Sequence, residues 1–432
     1  MKIHFIGIGG IGVSALAQYY LAKGHEISGS DLVSSEITEL LESKGVKIEN
    51  ISEDVEMVIY SPAVQKDNPE YIEAEKRGLK LLSYPEGLGE LTKEYFTIAI
   101  SGTHGKSTTC AMLSLILIKA GLDPTVIIGT KLKELGNTNF RAGKSKYLVI
   151  EACEWNASFL NYYPAIIELT NIEEEHLDYF RDLGHILETY SKYIDRLDNG
   201  TLVVNEDDIN IQNVLKSKFQ ISNTKSNPKF KIQKYSIRQK ESEKLRSILK
   251  IPGEHNVYNA LGALTIARDL GVSDDIIYEV LSEFRGSWRR FEVIEEKLDR
   301  KDFTLVNDYG HHPTEVRATL KAIKEKYPDK KIWAIFQPHQ YQRTYSLFND
   351  FVKALSETEL DKLIITDIYD VAGREKTEIK EKVSSEKLVE AINKPWVKYL
   401  AQDKVKEYIQ EKITGKEVIL VMGAGDVYNI LE

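Results

Sequence analysis

The chain has 432 residues, of which 42% are hydrophobic and 28% are charged, and its formal net charge is -9. These values exclude a disordered or fibrous chain, and the acidic balance argues against a nucleic-acid or membrane surface. Two cysteines are too few for a disulfide framework, so we expect a reducing, cytoplasmic setting. No apolar run reaches the ~18 residues that would span a bilayer, and the length predicts about three domains.

The first predicted element is a short apolar strand over residues 2–7 that leads into a glycine loop. Gly7, Gly9 and Gly12 form the pattern G-x-G-x-x-G, and the residues after them predict a helix. A second strand ends at Asp31, where a ribose-binding acid belongs. The segment therefore predicts a Rossmann-like βαβ unit. The glycines could instead serve only close helix–strand packing, and the ligand could be any diphosphate.

The next elements continue the alternation of strands and helices. Residues 55–60 predict a strand, and residues 61–64 predict the loop that follows it. Pro69 suits the first turn of a helix. We interpret residues 91–94 as a linker that ends the first unit.

The sequence Gly-Thr-His-Gly-Lys-Ser-Thr over residues 102–108 is the most specific motif of the chain. An apolar strand precedes it, and a helix is predicted over residues 110–120. Backbone N–H groups at such a loop bind phosphate, while Lys106 adds a positive charge and the Ser107 hydroxyl holds Mg²⁺. The usual pattern has a further glycine at the position of Ile100, so the motif is a shortened P-loop.

Acidic residues follow two predicted strands of the central region. Glu151 closes one strand and suits the role of a magnesium ligand beside a P-loop. Glu154, three residues further on, is the alternative, but the strand-end position favours Glu151. His176 lies among several acids after another strand, which predicts a second metal site; the alternative is that it caps a helix.

Two further clusters have both a binding and a structural interpretation. Asn256 and Asn259 lie on the first turns of a predicted helix, where an amide suits the edge of adenine, although Asn256 also suits a helix cap. Arg289 and Arg290 lie near a predicted domain boundary. We interpret them as hinge arginines that reach phosphate, with a surface charge pair as the alternative.

The last third of the chain predicts a second doubly wound unit, beginning with the strand at residues 303–308. His311 and His312 follow that strand. Neighbours in sequence do not face the same way on a helix, so substrate binding is favoured over zinc. The donor-rich loop over residues 336–343 suits a carboxylate or phosphate. A glycine turn at residues 422–425 repeats the strand–glycine–helix theme.

Ten motifs carry a family resemblance across nearly the whole chain: GIGGIG, SGSD, SPAV, GTHGKST, TNIEEEHLD, PGEHNVYN, RRFE, DYGHHPTEV, FQPHQYQRT and MGAGDV. In this order they resemble the Mur ligases of peptidoglycan precursor synthesis. DYGHHPTEV and FQPH-x-Y-x-R-T most resemble the member that adds L-alanine. One departure lies at residues 151–156, which read EACEWN where the family more commonly has EADESD.

The resemblance implies an α/β fold of three domains. A Rossmann-like N-terminal domain (1–95) would bind the UDP part of UDP-N-acetylmuramate, a central P-loop domain (96–291) would bind ATP and Mg²⁺, and a Rossmann-like C-terminal domain (292–432) would bind L-alanine. The implied reaction joins L-alanine to the lactyl carboxylate through an acyl phosphate. We expect no nucleic-acid or membrane partner, and a monomer or homodimer.

The site residues are carried over motif by motif. The implied catalytic residues are Lys106, Glu151, His176 and Arg290. The implied ATP-binding residues are Gly102, Thr103, His104, Gly105, Lys106, Ser107, Thr108, Asn256, Asn259 and Arg290. The implied metal ligands are Ser107, Glu151 and His176. The implied UDP-substrate residues are Gly9, Gly10, Ile11, Gly12, Ser30, Asp31 and Ser61. The implied amino-acid residues are Tyr309, His311, His312, His339 and Arg343.

Two alternative functions are kept. A ligase that recycles murein tripeptide onto UDP-N-acetylmuramate is similar, but it typically has Phe-Ala where this chain has Tyr309-Gly310. A nicotinamide-dependent oxidoreductase would explain the first glycine motif alone, and it leaves the P-loop without a role.

Overall fold

The computed structural model describes residues 1–220, 229–298, 301–358, 360–371 and 377–431. The strands are β1 (Lys2–Ile6), β2 (Glu26–Ser30), β3 (Lys47–Ile48), β4 (Met57–Tyr60), β5 (Lys80–Ser83), β6 (Phe96–Ser101), β7 (Thr125–Leu132), β8 (Thr138–Arg141), β9 (Tyr147–Ala152), β10 (Ile166–Leu169), β11 (Thr201–Asn205), β12 (Lys231–Tyr235), β13 (Glu292–Leu298), β14 (Lys301–Asp308), β15 (Ile332–Phe336), β16 (Lys362–Ile365), β17 (Val397–Tyr399) and β18 (Val418–Met422).

The helices are α1 (Ile11–Ala22), α2 (Glu36–Ser43), α3 (Pro69–Lys76), α4 (Tyr84–Thr92), α5 (Lys106–Lys119), α6 (Leu183–Ile194), α7 (Ile209–Gln220), α8 (Glu241–Ile248), α9 (Glu254–Asp269), α10 (Asp274–Glu283), α11 (Pro313–Lys326), α12 (Tyr341–Ser346), α13 (Phe348–Glu357), α14 (Thr377–Lys380), α15 (Ser385–Ile392) and α16 (Gln402–Lys412). None of the helices in the described ranges combines the length and apolarity needed to cross a bilayer.

The first sheet has the order β3-β2-β1-β4-β5 and is parallel throughout. Its connection from β1 through α1 to β2 is the βαβ unit predicted from the glycine motif, so the Rossmann-like prediction is confirmed. The linker predicted at residues 91–94 is wrong in its first half, because α4 continues to Thr92. Leu88 and Leu91 are buried, and this apolar face keeps the last turn of the helix packed.

The second sheet has the order β12-β11-β10-β6-β9-β7-β8, and its strands are parallel except at the β8 edge. β6 lies between β9 and β10. Parallel neighbours end at the same edge of a sheet, so the P-loop after β6, Glu151 at the end of β9 and Thr170 after β10 converge. The order of strands thus assembles residues that are far apart in sequence.

The third sheet has the order β13-β14-β18-β15-β16-β17, with β13 antiparallel to β14 at one edge. The parallel strands β14, β18 and β15 are neighbours. Their carboxyl ends carry Asp308, Met422 and Phe336, so the DYGHHPTEV, glycine-turn and FQPH motifs lie at one edge. This confirms the doubly wound unit predicted for the last third of the chain.

The chain divides into two compact units. The first comprises residues 1–173, 183–245 and 258–282, and the second comprises residues 174–182, 246–257 and 283–432. The first two sheets belong to one unit, although β5 and β6 lie in different sheets. The domain boundaries at 95 and 291 therefore stay a prediction.

Glu168 is a fully buried carboxyl group in β10, a strand whose sequence is otherwise apolar. Its Oε1 accepts a hydrogen bond of 3.0 Å from the Tyr235 hydroxyl. A side chain at Gly262 would collide with this carboxyl, so the glycine makes the space that Glu168 occupies. Burial raises the pKa of Glu168 to about 8, although the Tyr235 hydrogen bond lowers it.

Glu168→Gln is expected to stabilise the protein more at pH 8 than at pH 5. The folded-state pKa is raised, so the stability that protonated Glu168 contributes is present below pH ~4.3 and is lost as the pH rises to about 8. A glutamine does not ionise, so the variant does not lose stability in this way as the pH rises. Thermal unfolding from pH 5 to 8 measures the difference in Tm between the variant and the wild type. A change of 1 kcal/mol shifts Tm by about 2–4 °C for a domain of 150–250 residues. The exposed Glu243→Gln is the control; a difference between Glu168→Gln and wild type that does not vary with pH would contradict the prediction.

Candidate functional site

The P-loop follows β6 in a conformation that only glycine adopts without strain. Gly102 has φ 133° and Gly105 has φ 86°. A side chain at Gly102 would collide with Thr170, and one at Gly105 would collide with Asn259. Gly105 precedes α5 and gives it no side-chain cap, so the first N–H groups of the helix are left for an anion.

Lys106 is the cation of this loop. Its Nζ donates to the carbonyl oxygens of Gly102 and Thr103 and, at 3.1 Å, to Oε2 of Glu154. Burial by itself would lower the pKa of Lys106, but the charge of Glu154, helped by that of Glu151, raises it. The ammonium group is therefore charged and held at the loop, where it can offset the charge of a phosphate.

Glu151 and Glu154 have different partners. The Ser107 hydroxyl donates to Oε2 of Glu151 at 3.0 Å, and the Gly129 N–H donates to its Oε1 at 2.5 Å. Glu154 instead pairs with Lys106. A hydroxyl and a carboxylate side by side are oxygen ligands that suit Mg²⁺, so the geometry favours Glu151 over Glu154 for the metal.

Cys153 lies in the segment that departs from the family pattern. Burial, and then the charge of Glu154, raises the pKa of its thiol to about 12. The thiol is therefore protonated at neutral pH and is a poor nucleophile. Asn156 and Ala157, just beyond it, have φ values of 54° and 52° in the left-handed region.

Asn171 clamps the P-loop, and sequence analysis did not select it as a site residue. Its Oδ1 accepts from the His104 N–H at 2.8 Å, and its Nδ2 donates to the His104 carbonyl at 3.1 Å. Next to it, Thr170 Oγ1 donates to the same carbonyl at 2.6 Å. Its position just after β10, the strand beside β6, is the feature from which its contact with the P-loop could have been predicted.

The glycine loop of the first sheet is held by the end of β2. The N–H groups of Gly7 and Ile8 donate to the Ser30 carbonyl at 2.8 and 3.0 Å, and the Gly9 N–H donates to Oδ2 of Asp31 at 2.8 Å. Ser61 lies against Gly7. These contacts bring together the glycine loop and the residues predicted from SGSD and SPAV. Asp31 uses one carboxylate oxygen to shape the loop.

Glu70, in α3, holds Ser30, which in turn binds the glycine loop; the sequence analysis did not predict this role. Its carboxylate accepts from the Ser30 hydroxyl, from the Ile51 N–H at 2.7 Å and from Nε2 of the buried His4 at 3.1 Å. Ser30 in turn binds the glycine loop through its carbonyl group. No local pattern around residue 70 predicts this, because its partners lie on three other segments.

In the second compact unit, Arg343 binds Glu175. Its Nε and Nη2 donate to Oε1 of Glu175 at 2.9 and 2.8 Å, and its Nη1 donates to the His339 carbonyl at 2.9 Å. Burial would raise the pKa of Glu175, but the charges of Arg343 and of His176 hold it well below its usual range. Sequence analysis predicted that Arg343 binds a carboxylate or phosphate of a ligand. In the structure it binds a carboxylate of the protein, and the ligand contact stays a prediction.

The two neighbouring histidines have different environments. His311 Nδ1 lies 3.0 Å from the Tyr309 carbonyl, and burial lowers its pKa to about 4, so the ring is neutral at neutral pH. His312 caps α11 together with Glu315, and its Nε2 lies 3.2 Å from the Glu174 carbonyl. A local structural role for His312 therefore stands beside its predicted role in substrate binding.

The two hinge arginines are not a surface charge pair. The side chain of Arg289 is buried, and its Nη2 donates to the carbonyl groups of Gly423 and Gly425. Arg290 Nη1 lies 3.4 Å from Oε1 of Glu315, and its guanidinium carbon lies 5.0 Å from the centre of the Tyr309 ring. Both arginines therefore have partners within the second compact unit, and the predicted contact with phosphate stays a prediction.

Asp308 is a second residue that sequence analysis placed in a motif but did not select. It is buried, and its carboxylate accepts from the N–H groups of Phe291 and Gly310 at 2.9 and 2.8 Å and from the Thr319 hydroxyl at 3.0 Å. These bonds join the residue after Arg290 to the turn after β14. Asp308 therefore fixes the arginine segment against the DYGHHPTEV loop.

Asn256 and Asn259 lie on one helix and have different neighbours. Asn256 Nδ2 donates to the Pro252 carbonyl at 2.7 Å, which is a local structural contact. Asn259 lies against Gly105 of the P-loop. A contact of either residue with adenine stays a prediction.

The chain is similar to known proteins along its whole length. Three sequence models match it in succession: the Mur ligase family catalytic domain at residues 2–96, the Mur ligase middle domain at residues 100–267, and the Mur ligase glutamate ligase domain at residues 289–425. UDP-N-acetylmuramate–L-alanine ligases of Acetivibrio thermocellus and Clostridium botulinum are each 41% identical to it. The alignments cover 100% of this chain and 94% and 96% of those proteins.

Solved structures give the same result. A UDP-N-acetylmuramate–alanine ligase from Thermotoga maritima is similar with a TM-score of 0.80 and 25% identity, over 100% of this chain and 97% of that one. A murein peptide ligase from Psychrobacter arcticus has a TM-score of 0.72 at 24% identity, over the same shares of the two chains, which shows the fold alone. With a glycine loop, a P-loop and a second doubly wound unit in this order, and with relatives along its full length, the chain belongs to the Mur ligase family.

Proposed function

We propose that this protein is an ATP-dependent, ADP-forming ligase that joins L-alanine to the lactyl carboxylate of UDP-N-acetylmuramate in peptidoglycan synthesis. The observation that carries the proposal is the meeting of Lys106, Ser107 and Glu151 at the carboxyl edge of the central sheet. This arrangement suits phosphoryl transfer. The curated relatives with 41% identity support the choice of substrates.

The chemistry requires activation of a carboxylate. A carboxylate oxygen attacks the terminal phosphorus of ATP, so ADP leaves and an acyl phosphate forms. The amine of L-alanine then attacks the acyl carbon and loses a proton, the amide bond forms, and inorganic phosphate leaves. Lys106 and the N–H groups of the P-loop supply charge and position, which are what phosphoryl transfer needs.

Mg²⁺ is the proposed metal. Ser107 and Glu151 would hold it, since their oxygens are adjacent and of the type that Mg²⁺ prefers. When bound, Mg²⁺ neutralises charge on the phosphate oxygens. His176 is the proposed ligand of a second ion, and its backbone φ of 56° marks a constrained conformation in the acid-rich loop.

The remaining assignments are proposals of the same kind. The diphosphate would lie at the glycine loop, where the first N–H groups of α1 have no side-chain cap. The amino acid would lie at the edge of the third sheet, near Tyr309, His311, His312, His339 and Arg343. Arg290 would reach phosphate. The boundaries at 95 and 291, the cytoplasmic setting and a monomeric or dimeric state stay predictions.

The alternatives are not favoured. Three successive Mur ligase domains leave no basis for a nicotinamide-dependent oxidoreductase. The recycling ligase shares the fold, but the curated relatives that align with the whole chain are alanine ligases.

The proposal predicts phosphate release from ATP that requires both UDP-N-acetylmuramate and an amino acid. L-Alanine is expected to be the best acceptor, with about 10- to 200-fold lower kcat/KM for glycine, because one methyl group is worth ~1–3 kcal/mol in a small pocket. A coupled phosphate assay with each amino acid in turn measures this. Faster ligation of L-Ala-γ-D-Glu-meso-diaminopimelate than of L-alanine would show that the recycling activity is the correct one.

Lys106→Ala is expected to lower kcat by ~10²–10³ while the Kd for UDP-N-acetylmuramate stays the same, because a preorganised charge at the phosphate site is lost. Steady-state kinetics and calorimetric titration measure the two quantities. Lys119→Ala, at the exposed end of the same helix, is the matched control. Wild-type turnover by Lys106→Ala at saturating ATP would contradict the assignment.

Cys153→Ser is expected to keep at least about half of the wild-type kcat, because a thiol whose pKa lies at about 12 is not ionised at neutral pH. Kinetics and mass spectrometry of the enzyme during turnover check this. A thioester trapped at Cys153 would instead replace the acyl phosphate as the intermediate.

A further inference from the structure

Tyr84 occupies a position between the two ligand sites of the first compact unit. It is the first residue of α4 and follows β5 directly, at the sheet edge where β1 leads into the glycine loop. α4 packs against α1 on one side and against the 3₁₀ segment Trp155–Asn161 on the other. That segment follows β9, the strand that carries Glu151.

The packing around α4 is close on both sides. A Cβ atom added to Gly12 would lie 2.8 Å from the Oη and Cζ atoms of Tyr84, so the phenol ring rests on the first turn of α1. A Cβ atom added to Gly89 would lie 2.6 Å from the Asn161 carbonyl oxygen. The helix is therefore fixed between the glycine loop and the segment after Glu151, and Tyr84 lies at its beginning.

The hydroxyl of Tyr84 forms no hydrogen bond with the residues described in the structure. Burial, and then the nearby acidic groups of Glu151 and Cys153, raises its pKa, so the phenol is neutral and keeps its proton. A neutral hydroxyl with no protein partner is a donor available to a ligand.

The substrate has to connect these two sites. Under the proposed function, its diphosphate lies at the first turn of α1 and its lactyl carboxylate lies at the P-loop, so the sugar between them passes Tyr84. We propose that the Tyr84 hydroxyl donates a hydrogen bond to the sugar of the UDP-linked substrate and thereby positions the carboxylate for phosphorylation. This inference rests on the proposed function and adds a substrate-positioning residue to it.

Tyr84→Phe tests the proposal, because it removes the hydroxyl and keeps the ring that packs on Gly12. We expect the KM for UDP-N-acetylmuramate to rise about 2- to 12-fold, the range for one lost neutral hydrogen bond. The KM for ATP and the unfolding temperature are expected to stay at their wild-type values. The Kd for UDP, which contains ribose but not the N-acetylmuramic acid sugar, is also expected to stay the same. Tyr20→Phe, near the far end of α1, is the matched control.

Each result is decisive. An unchanged KM for UDP-N-acetylmuramate in Tyr84→Phe overturns the proposal, and so does equal weakening of UDP, which would place the hydroxyl at the diphosphate instead. A wild-type enzyme that releases no phosphate with UDP-N-acetylmuramate and L-alanine overturns the proposed function itself. In that case, a Kd for UDP-N-acetylmuramate that is higher in Tyr84→Phe than in wild type still supports the sugar contact, and an equal Kd overturns it.

Discussion

The close approach of the P-loop to the end of β10 and to α9 is the constraint on which the site depends. Side chains at Gly102 and Gly105 would collide with Thr170 and Asn259. Asn171 then binds both the N–H and the carbonyl of His104. The loop is thus held by its neighbours, and the first turn of α5, which has no side-chain cap, is positioned to meet an anion.

The conformation of the P-loop also sets which carboxylate lies beside Lys106. Lys106 is held near Glu154, while Glu151 is turned toward Ser107 and Gly129. One acid therefore keeps the lysine charged, and the other presents oxygens beside a hydroxyl. This separation follows from their positions, one at the end of a strand and one in the turn after it.

In the second compact unit, buried side chains also hold loops together at the carboxyl edge of a sheet. Asp308 binds the backbone after Arg290 and the backbone of its own turn, so two segments of different motifs are joined by one buried carboxylate. Arg289 joins the same segment to the glycine turn after β18. Buried hydrogen bonds of this kind favour one geometry, because another arrangement would leave these donors and acceptors unpaired.

The sequence by itself determined the order of elements, the glycine loop, the P-loop and the family. Those features are local: a glycine motif, an apolar strand or a lysine–serine pair needs only neighbouring residues to be recognised, and the resemblance adds their order. It also selected Glu151 over Glu154, because the end of a strand is a local position. Only the tertiary structure decided the partners of Arg343, Glu70, Asn171 and Asp308. Their long-range hydrogen bonds join residues 17 to 168 positions apart. Such pairings depend on the order of strands in the sheets, which no local pattern encodes.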